Sequence, residues 1–253
     1  MDIRKINHKA QEIAMQIAEV AGMLWDKGWG EATSGNISVN ATDAFPGIKL
    51  DVRANPVVPL ATAYPALAQN CIFITAKGSR MRDLRKELSH SLCMIKISRT
   101  GGGYQVLYEN PEHPLEPSSE LLTHLAIHNQ MVNAGKGCKA IVHAHVHELV
   151  ALTHNPELQN EDRLNEVLMG MHTETPFFLP EGIGYVPLVA PGSPELAEAN
   201  LLALKDHAIV VWEKHGCMAI GKDVHEAFDR IDVLAKAGMI YLTSRGIGLN
   251  PNF

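Results

Sequence analysis

Between Lys139 and His147 an apolar, β-branched lead-in, Ala140-Ile141-Val142, runs straight into histidines at positions 143, 145 and 147. Alternate residues of an extended segment point to the same side, about 6–7 Å apart along the chain. Two imidazoles placed in this way converge on one metal ion. A zinc-like divalent ion takes about three or four N, S or O ligands at roughly 2 Å, so the rest of the ligand set must come from elsewhere in the chain. Spacing alone does not choose between the pair His143/His145 and the pair His145/His147.

Two further segments carry suitable groups: Pro117-Ser118-Ser119-Glu120 upstream and Trp212-Glu213-Lys214-His215-Gly216 downstream. His143, His145 and His215 would form a three-nitrogen site with an open position, the pattern of a catalytic rather than a structural zinc. Glu120 then serves as an intermittent fourth ligand or as a general base. His124 and His128 stand four apart on one predicted helix and mimic a metal pair, but they read as surface or packing residues.

A chain of 253 residues has ample length for a hydrophobic core. Its 46% apolar content marks a globular protein, and a net charge of −6 argues against non-specific binding to nucleic acid or to an anionic membrane. A small anionic substrate stays compatible if positive groups gather locally. The four cysteines, Cys71, Cys93, Cys138 and Cys217, form no Cys-x-x-Cys pair and lie in apolar stretches. They read as reduced core thiols of a cytoplasmic protein. The polar start, Met1-Asp2-Ile3-Arg4-Lys5, has no apolar signal region, and no run of about 18 apolar residues marks a membrane span.

Periodicity predicts an amphipathic helix over about 5–27, closed by Gly28, and a polar turn, Gly30 to Asn36, feeding the strand Ile37-Ser38-Val39. The hydroxyls, amide and free backbone N–H groups of Thr33, Ser34, Gly35 and Asn36 suit a phosphate. Residues 40–69 read as a loop-rich insertion. Cys71–Thr75 is a buried strand leading into Ala76-Lys77-Gly78-Ser79-Arg80-Met81-Arg82, a basic turn and second anion cradle. Strands at 92–98 and 104–108 flank three glycines. Ser118 and Ser119 precede a predicted helix as N-cap candidates, with Glu120 in its first turn. Further helices are predicted near 148–153, 161–171, 194–205 and 223–245, and strands at 208–212 and 217–220 around the His215-Gly216 turn. Residues 1–253 therefore read as a single α/β domain with a largely antiparallel central sheet.

Taken in order, Thr33-Ser34-Gly35-Asn36-Ile37-Ser38, Ile74-Thr75-Ala76-Lys77-Gly78-Ser79, Pro117-Ser118-Ser119-Glu120, Ile141-Val142-His143-Ala144-His145 and Lys214-His215-Gly216 resemble the class II aldolase family, whose fold is shared with the adducin head. Within it, the residues 40–69 segment, the triple-glycine strand pair, Thr173-Glu174 and Pro180-Glu181-Gly182-Ile183-Gly184 resemble the members that cleave L-rhamnulose 1-phosphate. Two positions depart from the pattern: Ala32-Thr33 stands where Arg-Asn is expected, and Lys77 where a Ser is usual.

The resemblance implies a three-layer α/β/α fold and zinc-dependent retro-aldol cleavage of L-rhamnulose 1-phosphate to dihydroxyacetone phosphate and L-lactaldehyde. It implies one zinc per subunit on His143, His145 and His215, proton transfer by Glu120, and a second carboxylate, Glu174, contributed by a neighbouring subunit. Thr33, Asn36, Lys77, Gly78, Ser118 and Ser119 would hold the phosphate. A homotetramer with sites at subunit interfaces is implied as well. Another aldolase or a pentulose-phosphate 4-epimerase of the family, acting on L-fuculose 1-phosphate or L-ribulose 5-phosphate, is the alternative enzyme. A non-catalytic module like the adducin head is the alternative from another class, and the complete His143/His145/His215/Glu120 set argues against it.

Overall fold

A computed structural model describes residues 6–46, 56–107 and 114–249. Residues 1–5, residues 47–55 of the predicted loop-rich insertion, residues 108–113, which include Tyr108 at the end of a predicted strand, and residues 250–253 lie outside the described residues. The helices are α1 (His8–Asp26), α2 (Met81–Leu84), α3 (Leu88–Ser91), α4 (Leu121–Ala134), α5 (His147–Leu152), α6 (Glu161–Met171), α7 (Glu174–Phe178), α8 (Pro194–Ala203) and α9 (Val224–Gly246). The strands are β1 (Asn36–Asn40), β2 (Val58–Pro59), β3 (Cys71–Thr75), β4 (Leu92–Ile97), β5 (Gly103–Leu107), β6 (Ala140–Ala144), β7 (Gly184–Val186), β8 (Ile209–Trp212) and β9 (Gly216–Gly221).

The nine strands form one sheet in the order β2-β5-β4-β3-β1-β6-β9-β8-β7. Only β7 and β8 run parallel; the other pairings are antiparallel, as the sequence predicts. Helices cover both faces. Alternate strand residues such as Ile37, Val39, Ala140, Val142 and Ala219 pack with α1, α5, α6 and α9. Their neighbours of opposite parity, Ile72, Ile74, Ile141, Met218 and Ile220, pack under α4 and α8. Burial on both sides explains why β3, β4, β6, β8 and β9 read as largely apolar runs rather than as half-polar alternation.

Helix limits follow local chemistry. The Asn7 side chain accepts the Ala10 N–H at the start of α1. Gly28, at φ +78°, turns the chain after α1, and the Trp29 N–H returns to the Leu24 carbonyl. Ser193 and Asp223 cap α8 and α9 through their side-chain oxygens. The helix predicted to begin around Ser118-Ser119 starts later: Glu120 occupies the capping position of α4, its carbonyl already accepting the His124 N–H. The Ser118 hydroxyl accepts the Glu120 N–H at 3.3 Å, so a local turn, rather than a serine cap, sets the entry to α4.

Alternating strand direction places several chain ends together. The start of β1, the ends of β3, β6 and β8, and the start of β9 all fall at one end of the sheet, with Asn36 opposite His143 and Ala144 opposite Cys217. Every motif singled out in the sequence up to Ser119, and the His215 turn, feeds that end. Among the described residues no helix is long and apolar enough to cross a membrane.

Candidate metal centre and active site

β6 ends at Ala144, so the three alternate histidines do not share one extended segment. His143 is the fully buried penultimate residue of the strand, His145 follows its end, and His147 opens α5. His147 points outward, 65% exposed, beside Glu148. This resolves the ambiguity left by spacing in favour of His143 and His145.

The third imidazole arrives from the turn between β8 and β9. The ring of His215 lies 4.9 Å from that of His143 and 4.8 Å from that of His145, and His143 and His145 are 5.1 Å apart. One ligand nitrogen from each of the three falls within 4.8 Å of the others. Gly216 makes this approach possible. It has φ +145°, and a Cβ there would meet the Ala144 carbonyl oxygen at 2.2 Å.

Hydrogen bonds select the tautomers. His143 Nδ1–H donates to the Cys217 carbonyl at 2.9 Å, leaving Nε2 as a lone pair. That buried Nε2 has no hydrogen-bond partner. His145 Nδ1–H donates to Glu31 Oε1 at 2.9 Å, which likewise leaves its Nε2 free. Burial and the neighbouring imidazole of His145 push His143 down to about 3, and burial with His143 and His145 brings His215 down to about 4. Both rings are therefore neutral at physiological pH, the form that binds metals. Three converging imidazoles, one with an orphaned buried nitrogen, fit a divalent metal ion.

Glu120 lies against this cluster, 94% buried, with Oε1 3.8 Å from His143 Nε2. The neutral state of His143 makes this a polar contact rather than an ion pair. Burial raises the affinity of the Glu120 carboxyl for a proton, against the opposing pull of the Asn36 hydrogen bond and of His215 and His145. Asn36 Nδ2 donates to Glu120 Oε2 at 3.1 Å.

Two residues without an expected role, Glu31 and Trp212, frame the histidines. Glu31 orients His145 from the turn after α1, which is held in place by the His145 N–H donating to the Trp29 carbonyl at 2.9 Å. Burial alone would raise the Glu31 carboxyl, but the bond from His145 and those of its own turn outweigh it and hold it low. Trp212 stacks on His143 with ring centroids 4.4 Å apart, and its indole N–H donates to the buried Asn200 at 2.9 Å. The Trp212–His215 spacing carried the only sequence signal for this packing.

The phosphate candidates gather at the same end of the sheet, unevenly. The loops carrying Lys77-Gly78 and Ser118-Ser119 are stitched together: Lys77 N–H donates to the Glu116 carbonyl at 2.8 Å and Ser118 N–H to that of Thr75 at 3.0 Å. Gly78 has φ +75° with open space in front of it. Lys77 Nζ lies 2.9 Å from Glu116 Oε2, both exposed. Asn36 and Ser118 are buried, Ser119 and Thr33 exposed. Glu174 is exposed at the first position of α7 and is not among the residues whose ligand atoms converge with the histidines. His124 and His128 are packing residues, fully buried and hydrogen bonded to Ser38.

This fold and site define a class. Residues 15–242 match the class II aldolase and adducin N-terminal domain family, and the chain belongs to it. Within it, the chain is 36% identical over 238 residues to a rhamnulose-1-phosphate aldolase of Bacteroides thetaiotaomicron, covering 94% of this chain and 87% of the relative. It is 31% identical to the rhamnulose-1-phosphate aldolase of Listeria welshimeri, over 90% of this chain and 81% of that protein. Among solved structures, a sugar-phosphate aldolase from Thermotoga maritima superposes with a TM-score of 0.83 at 35% identity, covering 95% of this chain and 98% of that one.

Proposed function

We propose that this protein cleaves L-rhamnulose 1-phosphate to dihydroxyacetone phosphate and L-lactaldehyde, using one zinc ion per subunit held by His143, His145 and His215. The observation that carries the proposal is the buried His143 Nε2, unpartnered and facing two further imidazoles and the Glu120 carboxyl. The named activity of the relatives at 36% and 31% identity supports the choice of substrate. Bound there, zinc would supply Lewis acidity that stabilises negative charge on the three-carbon fragment.

The chain's own groups account for the remaining chemistry. Cleavage requires loss of the proton on the C4 hydroxyl, rupture of the C3–C4 bond with its electron pair left over C2 and C3, and return of a proton at C3. Glu120, with its raised proton affinity, handles the proton at C3. Asn36 fixes the orientation of its carboxylate. Backbone N–H groups of the 76–79 and 116–119 loops, the hydroxyls of Thr33, Ser118 and Ser119, Gly78 and the Lys77 ammonium hold the phosphate, whereas the Asn36 amide is committed to Glu120 and His124.

Glu174 handles the proton on the aldehyde half from a neighbouring subunit of a homotetramer. Its exposure, and that of Phe177 and Phe178 on the same short helix, support a subunit contact there. A small-molecule enzyme with four free cysteines suits the cytoplasm.

The test is release of dihydroxyacetone phosphate from L-rhamnulose 1-phosphate by zinc-loaded and chelated protein, beside L-fuculose 1-phosphate. Zinc-dependent release, faster from the rhamnulose ester, is expected. No release from either sugar with zinc stoichiometrically bound refutes the aldolase reading and leaves a metal-dependent epimerase of the same family.

A further inference from the structure

Behind Asn36 lies a run of buried polar groups that the cleavage chemistry does not use. Asn36 Oδ1 meets His124 Nε2, His124 Nδ1 meets the Ser38 hydroxyl at 2.6 Å, and the same hydroxyl meets His128 Nε2 at 2.8 Å. Ser38, His124 and His128 are at most 1% exposed. They come from β1 and from one face of α4, and they occupy the layer between the sheet and that helix. Polar groups placed there cost several kcal/mol unless each finds a partner. In this run every named contact is used.

The contacts are not symmetrical in direction. Asn36 gives its NH₂ to the Glu120 carboxylate, so its carbonyl oxygen is what remains for His124. His124 must therefore donate from Nε2. A neutral ring protonated at Nε2 has only a lone pair at Nδ1, so the Ser38 O–H points at it. The Ser38 oxygen then accepts from His128 Nε2–H. Burial keeps His128 neutral, down to about 3, and holds His124 well below its ordinary value. A doubly protonated ring could not occupy the His124 place, where Nδ1 must accept from Ser38.

We infer that His128, Ser38 and His124 are positioning residues that lock the Asn36 side-chain amide with its NH₂ toward Glu120. Without the lock, the amide turns over and presents its oxygen to the carboxylate, and Glu120 loses the Asn36 donor that holds it against the histidine cluster. The role rests on the aldolase reading for its kinetic consequence, while the hydrogen-bond direction stands on geometry alone. The hydrogen bonds of the three run among themselves and to Asn36, not to the histidines at 143, 145 and 215, so bound zinc should not depend on them.

Two measurements test this. In the wild-type protein, proton–nitrogen correlation spectra of the imidazoles should show His124 and His128 neutral and protonated at Nε2, with His143 protonated at Nδ1. His124 protonated at Nδ1, or charged, overturns the inference. With L-rhamnulose 1-phosphate, Ser38→Ala should lower kcat about ten- to a hundredfold with KM and bound zinc unchanged, and Ser38→Thr should recover most of the loss. Wild-type kcat in Ser38→Ala overturns the positioning role. His128→Phe, at the far end of the run and close in volume, should lower kcat in the same direction if Ser38→Ala does not fold, and wild-type kcat there is equally fatal. If the wild-type protein cleaves no sugar phosphate, the functional proposal has failed, and the tautomer of His124 still decides the direction of the run.

Discussion

Replacing Gly216 with alanine isolates the link between backbone and metal site. The new methyl would lie 2.2 Å from the Ala144 carbonyl oxygen and 3.0 Å from His145 Cα, both backbone atoms of β6 and its exit. Ordinary contact requires β9 and β6 to part by about 1 Å at this point. The position also has φ +145°, where a side chain is strained. Strain and overpacking together cost about 3 kcal/mol, which for a domain of this size lowers Tm by roughly 6–12 °C. His215 is the preceding residue, and metal–ligand distances tolerate only about 0.2 Å. A displacement several times larger should weaken zinc by about a hundredfold or more. Scanning calorimetry on metal-free protein and competition with a chromophoric chelator read the two effects separately. A Gly216→Ala protein with wild-type Tm and zinc affinity would refute the claim that close strand approach assembles the site.

Glu31→Gln keeps an acceptor for His145 Nδ1–H but removes the charge, so zinc affinity should fall about tenfold in the same chelator assay, with folding unchanged. Acid lability follows from the two buried rings of α4. His124 and His128 stay neutral in the folded protein, whereas the unfolded chain takes up protons below about pH 6.5. Stability is thus fully present above that pH and is lost as pH falls, by about 1.4 kcal/mol per unit for each ring. Urea titrations of metal-free protein should show a loss of about 3 kcal/mol between neutrality and pH 5.5 from this pair, and a flat profile contradicts their neutral burial. Lys77 is held by Glu116 across an exposed pair worth at most about 1 kcal/mol. Glu116→Gln should release it to the substrate phosphate and lower KM about two- to fivefold, an effect that high salt erases; an unchanged KM removes Lys77 from the phosphate site.

The antiparallel sheet, its long helices and the three converging histidines are legible because each leaves a short-range mark. The lead-in Ala140-Ile141-Val142 has no polar residue because both its faces are covered. The α9 period is carried by Ala227, Ile231, Leu234 and Ala235, all on its buried side. His215 was found through the glycine beside it, and that glycine is there because β9 must touch β6. The short helices α2, α3 and α7 were missed, since four or five residues are too few to display a period.

The groups that orient the site left no such mark, for a reason built into the sheet order. β1 lies between β3 and β6, so Asn36 and Ser38 face partners taken from a helix more than eighty residues away, and Glu31 meets a histidine 114 residues on. A carboxylate in a turn and a serine in a strand look the same in sequence whether they hold a ring or face water. Even His143 and His147 differ only through where the strand stops. Had β6 continued past Ala144, His145 and His147 would have stayed in one row. Because α5 begins at His147, that ring is carried out to solvent while His143 and His145 turn toward His215. Which histidines converge is therefore a property of strand length and register, and the residues that hold those rings in place become visible only when the register is known.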